Sequence, residues 1–242
     1  MRTVVSKSPE VLVVLGTGMG KGILFQLPCC LPGARTTVLI VPLVALTLYL
    51  LRRCQGLNID CEQWTQNLHS RASLVIISAE AAVSPTGRAY LHALHHAGHL
   101  NRIVVEECHL TLTASRSRRV VSQLALVRSV PVLFVYPTAT LPLNMRDELC
   151  QQHYLSQVVE VRASTRRSNI VYKVHWLSQQ VSHIVKATAS YLQNWWTAQI
   201  PAGCSPARAI VFARTKLESD SLAALLSSAS YHADKGDVDQ AF

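Results

Sequence analysis

Apolar residues in this chain gather in short unbroken runs rather than in alternation with polar ones. Val11 to Val14, residues 38–41, Leu74 to Ile77, Ile103 to Val105 and Val132 to Tyr136 are such runs, rich in Val, Ile and Leu. Each reads as a short buried strand. Between them lie segments with helical spacing. Ile23 to Leu27 is one, and Leu43 to Arg53 is another, with Arg52 and Arg53 in its last turn, where cations suit the helix end. A helix is expected to start at Ser78-Ala79-Glu80, and another to run from Tyr90 to Leu100. Strands alternating with helices predict an α/β fold, a parallel sheet covered on both faces. A polar stretch, Thr165-Arg166-Arg167-Ser168-Asn169, then reads as a linker. Beyond it the pattern resumes, with strands at Ile170 to Val174 and Ala209 to Phe212. Helices are expected through Ile184, Ala187, Tyr191 and Trp195, and over Leu217 to Leu226. Two domains follow, 1–163 and 164–242.

The first strand runs into Leu15-Gly16-Thr17-Gly18-Met19-Gly20-Lys21-Gly22, and a helical segment follows. Strand, glycine loop and helix form the context in which a P-loop cradles phosphate. Glycines let the backbone bend so that its N–H groups share one concavity. The helix start adds its positive end, and Lys21 adds a point charge for the β and γ phosphates. Two positions depart from G-x-x-x-x-G-K-[ST]: Leu15 stands first and Gly22 last. The second departure matters more, because the Ser or Thr hydroxyl ordinarily ligates Mg2+.

Charge extends the picture. The chain has 242 residues, 23 Lys+Arg against 14 Asp+Glu, and a net charge of +9, which favours an anionic partner and nucleic acid first. Apolar residues make up 49% and charged residues 15%, a globular balance. Seven cysteines, an odd number with no C-x-x-C, speak against a disulfide framework and against structural zinc, and favour a reducing interior. The apolar stretch from Val41 to Leu51 is too short to span a bilayer, so no membrane association is expected. Lys7, Pro9 and Glu10 precede the first apolar run, unlike a signal peptide.

The ends of the predicted strands hold the remaining chemistry. Glu106-Glu107-Cys108-His109 follows the fourth strand and Thr138-Ala139-Thr140 the fifth. Ligands of open parallel sheets bind at the carboxyl ends of strands, so these runs and the glycine loop are expected to form one site. His92, His95, His96 and His99 fall near one face of a predicted helix. No carboxylate or cysteine is spaced with them, so a solvated face is expected rather than a metal site. Cys108 reads as a small packing residue, Trp195-Trp196 as packing, and Arg116, Arg118 and Arg119 as a basic face suited to phosphate.

Taken in order, GTGMGKG, VPLVAL, IISAE, EECH, TATLP, AIVFARTK and YHAD resemble the motifs of RecQ-like superfamily 2 ATP-dependent DNA helicases. More narrowly, they are similar to the divergent fungal type. The resemblance runs over most of the chain, from Val11 to Phe242. It implies a P-loop NTPase fold, a RecA-like parallel sheet flanked by helices, followed by a partial second RecA-like lobe. It implies ATP and Mg2+ as cofactors, with metal binding weakened, and DNA as partner, held mainly by its phosphate backbone. A nuclear location is implied as well. Residue by residue, Gly16, Thr17, Gly18, Met19, Gly20, Lys21 and Gly22 would hold the nucleotide. Glu106 would stand where the family has its Mg2+-directing Asp, and Glu107 would orient the attacking water. His109 would couple nucleotide state to Thr138, Ala139 and Thr140. Pro42, Arg116, Arg118 and Arg119 would lie along nucleic acid, and Tyr231-His232-Ala233 would match a second-lobe motif. The arginine finger has no counterpart in these residues, and with Gly22 and Glu106 this implies impaired hydrolysis. Two other readings stand beside it: a non-hydrolysing nucleotide or nucleic-acid-binding module on the same fold, and a P-loop small-molecule kinase.

Overall fold

A computed structural model of the chain describes residues 10–42, 45–66, 71–113, 123–176, 184–199, 209–232 and 234–235. The chain divides into two compact units, Met1–Ile170 and Val171–Phe242.

The first unit is built on strands β1 (Glu10–Val14), β2 (Thr36–Val41), β3 (Cys61–Gln63), β4 (Leu74–Ser78), β5 (Leu100–Val105), β6 (Leu133–Thr138) and β7 (Val158–Arg162). They form one seven-stranded sheet in the order β3-β4-β2-β5-β6-β1-β7, and every pairing is parallel. Successive side chains of a strand point to opposite faces, and here both faces are covered. Leu12, Val14, Val38, Ile40, Ile77, Ile103, Val105, Phe134 and Tyr136 pack into one core layer. Val13, Leu39, Val41, Leu74, Ile76, Val104 and Val135 pack into the other, beneath Phe25 and Cys54. That double burial is why the strands read as continuous apolar runs.

Helices α1 (Ile23–Cys29) and α2 (Ala45–Gln55) follow β1 and β2, and α3 (Ala79–Val83) and α4 (Pro85–His96) follow β4. Ser78 caps α3 by accepting from the Ala81 N–H, and Ser84 caps α4 by accepting from the Gly87 N–H. The expected histidine helix therefore starts earlier than Tyr90 and stops at His96. Gly98 turns the chain away at φ 70°, and the His99 N–H closes back on the Leu94 carbonyl. His99 thus leaves the helix face that was to carry all four imidazoles. His92 bonds Ser129 at 3.0 Å, and among the described residues no group of three or more His, Cys, Asp or Glu is arranged to hold a metal ion.

Among the described residues the unit also holds α5 (Leu110–Thr113), α6 (Arg146–Gln152) and 3-10 turns at Gln123–Ser129 and Leu143–Met145, and His153 closes α6. The His153 ring is buried, with Nε2 3.1 Å from Thr111 Oγ1, while the Thr111 hydroxyl donates to the Cys108 carbonyl at 2.7 Å. Nε2 therefore carries the hydrogen, and Nδ1 is buried without a partner. Burial first, and the nearby Arg128 charge second, push this imidazole down to about 4. The neutral ring thus contributes stability that is full above about pH 6.5 and is lost as pH falls toward 4, because the unfolded chain takes up the proton first. Glu106 has the opposite sign. It is raised to about 7, so its contribution is full below about 4.5 and is lost as pH rises through 7. Comparing the parent with His153→Phe cancels the Glu106 contribution. We expect urea titrations of the two proteins to converge by roughly 3 kcal/mol between pH 7.5 and 4.5. Parallel pH profiles would count against the neutral buried ring.

In the second unit the described residues form helices α7 (Ile184–Gln199) and α8 (Lys216–Leu226). Thr215 caps α8 by accepting from the Glu218 N–H. Asp220 accepts from Ser230 at 2.6 Å and from Lys235 at 2.6 Å, and meets His232. Lys235 first, then Ser230, holds its carboxyl far below the usual range. The segments expected as strands, 170–174 and 209–212, are not strands and pair with no neighbour, and Tyr172 and Phe212 are exposed. A strand is completed by a neighbour that takes its N–H and C=O groups, and none adjoins these segments among the described residues.

Candidate nucleotide-binding site

The sheet order decides which strand ends meet. β5, β6 and β1 are adjacent, and β2 lies on the far side of β5. Their carboxyl ends lead into Glu106, into Ala139, into Leu15 and into Pro42. Hydrogen bonds extend the sheet one step past the strands. The Glu106 N–H donates to the Ile40 carbonyl at 3.0 Å, the Cys108 N–H to Pro137 at 3.3 Å and the Leu15 N–H to Thr138 at 3.0 Å. Three motifs far apart in the chain are thereby held in register.

The glycine loop closes on itself, with the Met19 N–H on the Gly16 carbonyl at 3.1 Å and the Ile23 N–H on the Gly20 carbonyl at 3.0 Å. Gly18 and Gly20 sit at φ 85° and 83°, which side-chain-bearing residues rarely adopt. Gly16 is buried against the returning chain. A Cβ there would stand 3.7 Å from Thr165 Cα and 3.8 Å from the Ser164 carbonyl. Thr17, Gly18, Met19 and Gly20 are exposed. Lys21 Nζ donates to the Leu15 carbonyl at 3.2 Å, so the ammonium spans the loop. Gly22 caps α1 without any side-chain hydrogen bond, in place of the hydroxyl found in the strict pattern.

Glu106 and Glu107 differ despite being neighbours. Glu106 Oε2 is buried without a hydrogen-bond partner, and burial, reinforced by the Glu107 charge and offset by Lys21, raises the carboxyl to about 7. Glu107 is held below the usual carboxylate range, first by its hydrogen bond to His109. Its backbone adopts φ 46°, a left-handed conformation costing about 1–2 kcal/mol for a non-glycine residue. His109 Nδ1 lies 2.8 Å from Thr138 Oγ1 and 3.3 Å from Glu107 Oε2. The Thr138 hydroxyl donates to Glu107 at 3.4 Å and accepts from the Thr140 N–H at 3.2 Å. All these bonds are satisfied together when Nδ1 carries the hydrogen. This half-buried cluster ties the carboxylate after β5 to the turn after β6.

The structure therefore brings together Lys21, Glu106, Glu107, His109 and Thr138, with Ala139 buried and Thr140 exposed beside them. Pro42 is buried at the end of β2. Arg116, Arg118 and Arg119 lie outside the described residues. Cys108 is wholly buried, and its thiol is pushed well above the ordinary value by burial, then by both glutamates, so it packs and does not react. Sequence reasoning passed over Gln26, which is buried on α1 one turn beyond Gly22. The only signal for it was a polar residue inside an apolar helical run.

The sequence pattern of DEAD/DEAH box helicases matches residues 1–149. The chain is 24% identical over 258 residues to the mouse ATP-dependent DNA helicase Q5, an alignment covering 95% of this chain and 25% of that protein. The rat protein of the same name gives the same figures. The chain thus spans about a quarter of the length of these relatives. The crystal structure of the DUF1998 helicase MrfA superposes with a TM-score of 0.58 at 16% identity, covering 92% of this chain and 36% of that one, a likeness of fold. With a RecA-like parallel sheet and a family pattern that spans most of its length, the chain belongs to the DEAD/DEAH box helicase family.

Proposed function

We propose that the chain binds ATP with Mg2+ at the carboxyl ends of β1, β5 and β6, and couples that binding to DNA as part of a RecQ-like helicase. The observation that carries this reading is the convergence of Lys21, Glu106 and the Glu107–His109–Thr138 cluster on adjacent strand ends. Gly16, Thr17, Gly18, Met19, Gly20, Lys21 and Gly22 hold the phosphates. Glu106 is the metal-directing carboxylate, and its buried oxygen without a partner suits a cation. The metal, when bound, neutralises charge on the phosphates. Glu107 orients the attacking water. His109 passes the state of the nucleotide to Thr138, Ala139 and Thr140. Pro42, Arg116, Arg118 and Arg119 contact the nucleic-acid backbone. Residues 164–242 are a partial second RecA-like lobe.

Slow hydrolysis belongs to the proposal. Gly22 offers the metal no hydroxyl, and Glu106, raised to about 7, is partly protonated near neutrality. Mg2+ demands near-ideal octahedral geometry, and a protonated or displaced carboxylate meets it badly. This favours a second reading, a binding module that holds nucleotide and DNA without turning ATP over. Steady-state ATPase measurements with and without single-stranded DNA, at several salt concentrations, separate the two. We expect nucleotide binding, weak turnover, and DNA affinity that falls steeply with salt as phosphates release counterions. DNA affinity independent of salt, or none at low salt, would reject the DNA reading. Fast DNA-stimulated turnover would reject impaired hydrolysis.

The domain division has its own test. Residues 164–176 are exposed throughout. Trypsin is expected to cut first at Arg166, Arg167 or Lys173 and to leave the amino-terminal lobe as the stable fragment. First cuts inside 10–163 would count against the two-lobe assignment.

A further inference from the structure

Gly22 leaves a gap at the position where P-loop proteins place a hydroxyl, and a neighbouring side chain already borders that gap. Gln26 lies four residues on, one turn along α1. Helical side chains lean back toward the amino terminus, so position 26 reaches toward position 22. A Cβ built on Gly22 would meet Gln26 Oε1 at 3.4 Å, Cδ at 3.6 Å and Nε2 at 3.6 Å. The oxygen is the nearest atom. Gln26 Nε2 donates to Cys54 Sγ at 3.9 Å, which turns the amide nitrogen toward Cys54, and Oε1 is the acceptor end of the group. Gln26 is 8% exposed, so little of its amide is open to bulk water.

We propose that Gln26 Oε1 supplies, toward the metal of a bound nucleotide, the polar oxygen that Gly22 lacks. This rests on the nucleotide reading of the same site. Mg2+ dehydrates reluctantly and keeps several waters, so an amide oxygen set back from the loop serves it by accepting a hydrogen bond from one of those waters. Such outer partners orient a metal's shell, and their loss costs about 10–100-fold in metal affinity. Gln26 is then a positioning residue that assists Glu106, the metal-directing carboxylate of the site. The arrangement also explains how position 22 can be glycine while Glu106 Oε2 is still kept buried and without a protein partner.

The test is calorimetric binding of ADP to the full chain, with Mg2+ and again with EDTA. The readout is the ratio of the two affinities in each protein, so general loosening of the loop cancels. Gln26→Met keeps length without the amide, and its ratio is expected to fall at least tenfold from that of the parent. Gln26→Glu retains an oxygen acceptor and is expected to keep the ratio. Gly22→Ser placed on Gln26→Met is expected to restore it, since a serine hydroxyl at position 22 returns the missing oxygen at the loop itself. If Gln26→Met does not fold, Gln26→Leu is measured in its place. A Gln26→Met ratio equal to that of the parent overturns the proposal, and so does a parent whose affinity ignores Mg2+. A parent that binds ADP neither with Mg2+ nor with EDTA overturns the nucleotide reading itself, and the role of Gln26 with it.

Discussion

Arg128→Ala is expected to lower unfolding stability by about 3–5 kcal/mol. Glu10 opens β1 with its side chain in the core, 5% exposed. Arg128 bonds Glu10 Oε1 through its guanidinium, and the Ser156 N–H donates to Oε2 at 3.0 Å. The guanidinium also lies over the Phe134 ring, 4.9 Å from its centroid. Removing it leaves a buried carboxylate with one backbone donor and no countercharge, and deletes a cation–π contact. That is a large share of the about 5–15 kcal/mol by which a domain is stable. Urea denaturation followed by circular dichroism measures the loss. The partner experiment is Glu10→Gln with Arg128→Met, which removes both charges and is expected to recover most of it. A single variant that loses under about 1 kcal/mol would show that the pair does not carry this load.

Lys21→Ala is expected to weaken ATP and ADP binding by about 10–150-fold, the equivalent of about 1.5–3 kcal/mol for a hydrogen bond to a charged group. The ammonium rests on the Leu15 carbonyl across the glycine loop, so it is already at the mouth of the phosphate cradle. It also offsets the rise of the Glu106 carboxyl. The variant should therefore move Glu106 further from ionisation and make Mg2+ dependence weaker as well. Unfolding stability should change little, because Lys21 is only half-buried and its bond is to one carbonyl. Calorimetry with equal affinities for parent and variant would sink the P-loop reading.

Much of the architecture follows from the one-dimensional pattern. Strands closed on both faces must be apolar at every position, so Val11 to Val14 and Leu74 to Ile77 announce themselves, and the glycine loop announces the turn after the first of them. β3 and β7 escaped because the sequence shows no such run there. Both are edge strands, and β7 alternates Val with Glu160 and Arg162, whose charges pair with each other at the rim. The unpaired segments 170–174 and 209–212 mislead for the converse reason. Their composition suits a strand, but a strand exists only when a neighbour pairs with it.

The candidate site divides in the same way. Residue types at the ends of predicted strands, taken with the family resemblance, marked Gly18, Gly20, Lys21, Glu106, Glu107, His109 and Thr138. Sequence could not say that β5, β6 and β1 stand side by side, since strand order depends on how crossovers pack and not on local pattern. That order alone brings His109 to 2.8 Å from Thr138, 29 positions later in the chain. Nor could the sequence divide two adjacent glutamates into one raised and one depressed, because burial and partners are properties of the folded interior. The residue types set which reactions are open to this chain. Only the packed sheet, by excluding water and adding partners from distant strands, decided which groups meet and in what charge state.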